Sequence, residues 1–198
     1  MNKILKNKKL LIAFVGVLLL IAILILIFVN NRQPANFVKT MLTDIKTGDT
    51  NKITKYLQTD QIEENSEENA SENNEFKILL EKMEYDIVSS KKSGNTGKVV
   101  VSISNKNIET TLRNYFSTAF AEMLKNITSN SDSNELESKL DSYLKEEYEK
   151  AETVTTKIEI TLTKDAEGWR VEQNEENINE VLNAILPGYL SYVNAANF

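Results

Sequence analysis

The chain contains neither cysteine nor histidine among its 198 residues. The lack of cysteine excludes disulfide bridges, thiol catalysis, thiolate metal sites and a lipid-modified cysteine anchor. The lack of histidine removes the commonest general base near neutral pH and the commonest transition-metal ligand. Catalysis by a Ser-His-Asp triad and sites for zinc, iron or copper are thereby excluded, and we predict no cofactor and no metal site.

One long apolar run stands near the start of the chain. Leu10 to Val29 is uninterrupted by any polar residue, which matches the ~20 residues that a helix needs to cross a bilayer. Four lysines precede this run without any acidic residue, and only Arg32 follows it closely. Because positive charge is retained on the cytoplasmic side, the run predicts a membrane span with its N-terminus inside.

A cleavable signal peptide would share the basic start. However, the run exceeds the usual ~7–15-residue apolar region of a signal peptide, and the following NNRQPANF contains no small-x-small cleavage site. We therefore predict an uncleaved signal anchor. The predicted layout is a cytoplasmic tail at 1–9, the span at 10–29, a short tether at 30–35 and an extracytoplasmic domain at 36–198.

Basic residues are scarce in the predicted exterior. All 29 acidic residues follow the span, whereas five of the 23 basic residues lie before or beside it, so the exterior has 18 basic residues and a formal net charge of −11. A surface of this sign repels anionic lipids and nucleic acid, and no basic patch interleaved with aromatic residues offsets it. We expect no nucleic-acid partner.

Apolar periodicity distinguishes helices from strands in the exterior. Helical spacing predicts helices at 35–45, after Asp49, around 76–83, at 107–127, at 136–148 and from Glu175 onward. Strict alternation predicts two hairpins: MEYDIVSS pairs with VVVSIS through KKSGNTG, and VTTKIEITL pairs with WRV through KDAEG. In the second hairpin Trp169 shares a face with Val171, which favours a role in the core over a ligand platform.

An acidic stretch, TDQIEENSEENASENNE, separates the second and third helices. It has few large apolar groups, so we interpret 59–75 as a mobile loop. A calcium site is the alternative, but the stretch lacks the glycine and the regular ligand spacing of a calcium loop.

This order of elements predicts an α+β domain: a curved antiparallel sheet of about four strands with helices on one face, preceded by one transmembrane helix. The pattern resembles the cone of the nuclear transport factor 2 and cystatin-like superfamily. The segments VKTMLTDIKTGDTNKITKYL, VVVSISNKNIETTL and TTKIEITLTKDAEGWRVEQNEE are similar to a group of Gram-positive extracytoplasmic proteins of unknown function. Many of that group are lipoproteins, and this chain departs from them by its helical anchor.

The resemblance implies no single activity, because its superfamily includes isomerases, dehydratases, transport adaptors and subunits of secretion machines. The anchor and the lack of reactive residue types favour a binding or assembly module with a protein or envelope partner. One alternative is a subunit of a secretion or conjugation channel. Another is a small-ligand receptor or enzyme that uses the cone interior, with Tyr85, Asp86, Tyr115 and Tyr143 as candidates by residue type. Since Asp86 falls on the strand face opposite Tyr85, we name no catalytic residue and do not expect an enzyme.

Two aromatic features suggest where a partner would bind. Tyr115 and Phe116 together are too wide for a single helical stripe, so one of them is expected at the surface. Beyond the closing helix the tail carries Tyr189, Tyr192 and Phe198. These five residues form the predicted interface. The competing interpretation is a tail folded over the open end of the cone.

Overall fold

The computed structural model describes residues 33–58, 70–129 and 133–196, together with Ile21. Apart from Ile21, the predicted span Leu10–Val29 lies outside these ranges, as do residues 59–69 of the acidic loop. Within the described ranges no helix combines the length and the apolar character that crossing a bilayer requires.

The described elements alternate short helical groups with β-hairpins. Residues 33–45 are helical and are named α1. The other helices are α2 (Thr50–Leu57), α3 (Ala70–Leu80), α4 (Glu109–Ser129), α5 (Ser133–Lys150), α6 (Glu175–Ile185) and α7 (Tyr189–Ala196). The strands are β1 (Glu84–Ser93), β2 (Thr96–Lys106), β3 (Thr153–Lys164) and β4 (Trp169–Val171).

The four strands form one antiparallel sheet in the order β1-β2-β3-β4, so the predicted α+β class and strand number are confirmed. Alternate side chains of β2 and β3 are buried against the helices, and the intervening ones face the other side of the sheet. The buried set is Val99, Val101, Ile103, Ile158, Ile160 and Leu162. The sheet therefore has one apolar face covered by helices and one mainly polar face, as period-two patterning dictates.

Two predicted loops are shorter than the sequence suggests. In the first hairpin Ser93 pairs with Thr96, so Gly94 and Asn95 alone make the turn. The connection is therefore shorter than the predicted KKSGNTG, whose other residues belong to the strands. Residues 70–75, which the sequence assigns to the acidic loop, belong to α3. Their helix is held by tertiary contacts that composition does not reveal, since Asn74 donates a hydrogen bond to Asp141 of α5.

A buried asparagine connects three helices to the sheet. The Asn105 side-chain amide donates to the carbonyl of Leu79 at 3.0 Å and to that of Ile185 at 2.7 Å. Its carbonyl oxygen accepts from the Tyr148 hydroxyl at 2.7 Å. Both N–H groups and the oxygen of the amide thus have a partner, and the C-terminal ends of α3 and α6 and the last turn of α5 meet at the end of β2.

The turn between α1 and α2 is made by a glycine. Gly48 has φ of +75°, and a Cβ placed on it would lie 2.3 Å from the Cα of Lys77. The backbone of this turn therefore runs directly against α3. No other residue type fits here, because the obstacle is main chain rather than a flexible side chain.

The α4–α5 pair leaves the sheet and returns to neighbouring points. Lys106, the last residue of β2, pairs with Thr153, the first residue of β3, and the Asn107 amide donates to the Glu152 carbonyl at 2.8 Å. The two helices run antiparallel and contact the rest of the domain mainly through α3 and α7. They form a helical hairpin inserted between two paired strands.

Candidate interaction surface

Helix α4, together with Ile108 just before it, carries two apolar stripes. The inner stripe, with spacings of four and three residues, is buried and comprises Ile108, Leu112, Tyr115 and Ala119. The outer stripe is exposed and comprises Phe116 (46%), Phe120 (66%), Met123 (54%) and Leu124 (51%). At 3.6 residues per turn the two stripes are rotated by roughly 90° from each other, so one protein core cannot cover both.

The inner stripe stops where charged residues begin. After Ala119 its next position is Glu122, which pairs with Lys125 at 2.6 Å and with Lys139 of α5 at 2.5 Å. Hydrogen bonds from these two lysines hold the pKa of Glu122 below its usual range. The outer half of the hairpin is therefore joined by polar contacts, and its apolar stripe faces away from them.

The C-terminal helix borders the outer stripe. The Ile108 amide donates to the Pro187 carbonyl at 2.8 Å, which fixes the start of α7 beside the start of α4. The Tyr192 ring stacks on Phe116 with centroids 5.5 Å apart, and Tyr115 meets Phe116 edge-on at 5.3 Å. We define the α4–α7 patch as Phe116, Phe120, Met123, Leu124 and Tyr192.

The predicted interface residues divide between this patch and the core. Phe116 and Tyr192 lie in the patch, whereas Tyr115 is only 5% exposed and its hydroxyl donates to Glu75. Burial, reinforced by this carboxylate, raises the pKa of Tyr115. Tyr189 is half-buried and packs against the core, and Phe198 lies outside the described residues. Tyr115 is therefore a buried residue supporting the patch, and it does not form part of its surface.

Sequence reasoning missed the larger part of the patch. Helical periodicity predicts α4 but does not by itself separate Phe120, Met123 and Leu124 from the buried residues of the same helix. The informative signal was the spacing itself. Once Ile108, Leu112, Tyr115 and Ala119 are taken as one complete stripe, the remaining apolar residues form a second stripe without a partner.

The described surface of α4 around the patch is electrically balanced. Glu109 pairs with Arg113 at 3.1 Å, and Glu122 pairs with its two lysines, so neither acid is left unpaired. The chain as a whole has a formal net charge of −6. The patch is therefore a neutral, apolar area within an acidic protein.

A separate cleft lies beside the sole tryptophan. It has a volume of about 330 Å³ and is lined by Phe37, Lys55, Tyr56, Gln58, Asp165, Glu167, Gly168, Trp169 and Arg170. Trp169 is half-buried, packs against the core and lies close to Gly97. Its indole nitrogen is covered and has no hydrogen-bond partner among the described residues. Trp169 therefore packs against the core and also forms one wall of the cleft.

The residues weighed for an enzyme do not come together. The Tyr85 hydroxyl lies 2.7 Å from the Thr43 hydroxyl and donates to the Lys39 carbonyl, while Asp86 is exposed on the other strand face. Tyr143 is half-buried in α5. Across the described ranges the buried polar side chains are Thr50, Asn105, Thr111 and Asn177, none of which is acidic.

Comparisons with known proteins leave the family open. No protein-family model matches the chain, and no curated protein matches it either. Among solved structures, a candidate lipoprotein of Bacillus subtilis, ycdA, is 12% identical with a TM-score of 0.42, and the match covers 70% of this chain and 44% of that one. The chain thus spans less than half of that protein. A likeness of this extent does not assign a fold family, so the nuclear transport factor 2-like cone stays a prediction.

Proposed function

We propose that the chain is a single-pass membrane protein whose extracytoplasmic α+β domain binds a protein partner through the α4–α7 patch. The observation that carries this proposal is the outer stripe of α4, where four large apolar side chains on one helix face are 46–66% exposed. Contiguous exposed apolar patches rimmed by polar residues are typical of interaction sites. Single exposed apolar residues such as Val88 need no such explanation.

The patch suits the centre of an interface. Completing the burial of four half-exposed side chains contributes roughly 3–6 kcal/mol in total, since full burial of one contributes about 1.5–3 kcal/mol. A micromolar complex needs about 8 kcal/mol. The patch alone therefore supports only weak binding, and the partner is expected to add polar contacts with the rim around α7 and α5.

A protein fits this patch better than a lipid surface. Gln33 lies near Lys92, and Pro34 lies against Gly97, so α1 begins at the turn end of the first hairpin. Helix α4 follows the opposite end of β2, whose 11 residues extend about 35 Å. If the anchor immediately precedes Gln33, the base of the helical hairpin lies far from the bilayer, and the acidic exterior further disfavours anionic lipids.

The proposed docking is tested by placing a photo-crosslinking phenylalanine analogue at Phe120 of the full chain in its own membranes. We expect one discrete adduct, and we expect its yield to fall about tenfold when Met123→Ser removes a neighbouring anchor. The control puts the analogue at Lys145, an exposed position of α5 outside the patch. Equal yields of crosslinked adduct at the two positions, or no adduct at Phe120, would contradict the proposal that a partner binds at the patch.

The anchor is tested separately by the intact mass of the protein purified from membranes. An uncleaved span predicts a mass of 22.5 kDa with Leu10 to Val29 retained. Removal of a signal peptide would lower the mass by roughly 2–3 kDa, because such peptides have about 15–30 residues. That result would contradict the single-pass proposal and leave the docking proposal standing.

A further inference from the structure

We infer that the Trp169 cleft binds a neutral oligosaccharide. This inference concerns a different part of the molecule from the α4–α7 patch and does not depend on it. The cleft lies among α1, α2 and the β3–β4 turn, at the end of the sheet where α1 begins.

Aromatic side chains held in place form the walls of the cleft. Phe37 and Tyr56 pack edge to face with centroids 5.9 Å apart, and Trp169 forms another wall. The Tyr56 hydroxyl donates to Asp44 at 2.6 Å, and desolvation together with this carboxylate raises the pKa of Tyr56 to about 12. The phenol therefore stays neutral near pH 7. Rigid aromatic faces suit the C–H faces of sugar rings, which pack on them without any need for charge.

Charged groups on the rim balance one another. Lys55 and Arg170 face Asp165 and Glu167 across the same cleft, and Arg170 pairs with Asp165 at 3.1 Å. The Gln58 amide adds a group that both donates and accepts. Beside these lining residues, Lys92 and Lys164 lie over the Trp169 ring, with their ammonium groups 5.9 and 5.8 Å from its centroid. A polyhydroxylated ligand can use the donors and the acceptors together.

A buried donor of the residue that forms one cleft wall has no partner. No described group accepts from the Trp169 indole N–H, and leaving such a buried donor unpaired costs about 1–3 kcal/mol. The turn beside it is already ordered, since the Asp165 carboxylate accepts from the amides of Glu167 at 2.9 Å and Gly168 at 3.2 Å.

A peptide fits the cleft less well, because strand addition has little backbone to use. The edge strand β4 has only three residues, and the Val171 carbonyl already accepts from the Gln173 side chain at 2.8 Å. Helix α2 also packs against this strand. Recognition in the cleft therefore depends on side chains, which favours a ligand with hydroxyl groups distributed around compact rings.

The sole tryptophan makes the test specific to the cleft. Full-length protein in detergent micelles is titrated with chitotetraose, cellotetraose and maltotetraose, and both Trp169 emission and the heat of binding are recorded. We expect a saturable change in emission with at least one of these sugars at a dissociation constant below about 1 mM. Arg170→Ala should raise that constant about tenfold, and Lys145→Ala on α5 should leave it unchanged.

A second variant separates binding from folding of the β3–β4 turn. Gln58 has φ of +47°, so Gln58→Gly removes the amide and keeps a backbone that glycine adopts easily. This variant should melt like the parent chain and bind the sugar several-fold more weakly. No saturable signal with any of the three sugars at about 10 mM, or a dissociation constant unchanged in both variants, would overturn the inference. So would a response to peptides alone.

Discussion

Replacing Asn105 by alanine should lower the free energy of unfolding by roughly 3–5 kcal/mol. The substitution leaves the Ile185 carbonyl without its partner from Asn105, while the Leu79 carbonyl and the Tyr148 hydroxyl keep only the hydrogen bond between them at 3.1 Å. A buried polar group that loses its partner costs about 1–3 kcal/mol, and the removed side chain also leaves a cavity. The expected loss of stability is large because one amide forms hydrogen bonds with residues of α3, α5 and α6.

Urea unfolding monitored by far-UV circular dichroism measures this loss. Tyr148→Phe removes a single hydroxyl from the same group of contacts, so we expect a smaller loss of about 1–2 kcal/mol. Asn183→Ala, at an exposed position of α6, should stay within about 0.5 kcal/mol of the parent chain. If Asn105→Ala cost no more than Asn183→Ala, the buried amide would not stabilise this end of the sheet.

Gly48→Ala is expected to lower the free energy of unfolding by a similar amount, about 2–5 kcal/mol. An alanine at φ of +75° costs about 1–2 kcal/mol from local sterics alone. Its Cβ would also lie 2.3 Å from the Cα of Lys77, so the α1–α2 turn and α3 would have to separate. Relieving such a backbone clash adds about 1–3 kcal/mol.

Gly94→Ala is the matched control for this substitution. Gly94 also has a positive φ, +58°, but nothing lies within 4 Å of the position its Cβ would take. We expect the free energy of unfolding to fall by about 1–2 kcal/mol, from the unfavourable φ alone, in the same measurement. Equal losses at the two glycines would show that close packing against α3 is unimportant.

The sequence predicts those parts of the fold that depend on local periodicity. Strands β2 and β3 alternate strictly between apolar and polar residues, so their faces and their antiparallel neighbours could be predicted. The helix predicted after Asp49 is α2, and Asp49 caps it with its carboxylate accepting from the Asn51 amide at 3.1 Å. These features are set by residues close together in the chain.

The features that escaped prediction depend on distant residues. Residues 70–75 are helical in contact with α5, and composition alone placed them in a loop. Asn105 has the register of a core position in β2, but its partners are separated from it by 26 to 80 residues. For the patch, periodicity locates the apolar side chains of α4, whereas only the packing of α5 and α7 determines which of them stay exposed.

The insertion of α4 and α5 between paired strands lets the length of the helical hairpin vary independently of the sheet. Since Lys106 pairs with Thr153 at the base, residues can be added or removed at the far end of the hairpin without altering the sheet register. Removing one turn from each helix would shorten the hairpin by about 5.4 Å. The buried inner stripe ends at Ala119, so such changes beyond it would not touch the core. The far end of the hairpin is thus a place where the chain tolerates changes in length, whereas α7 holds the patch in place at the base.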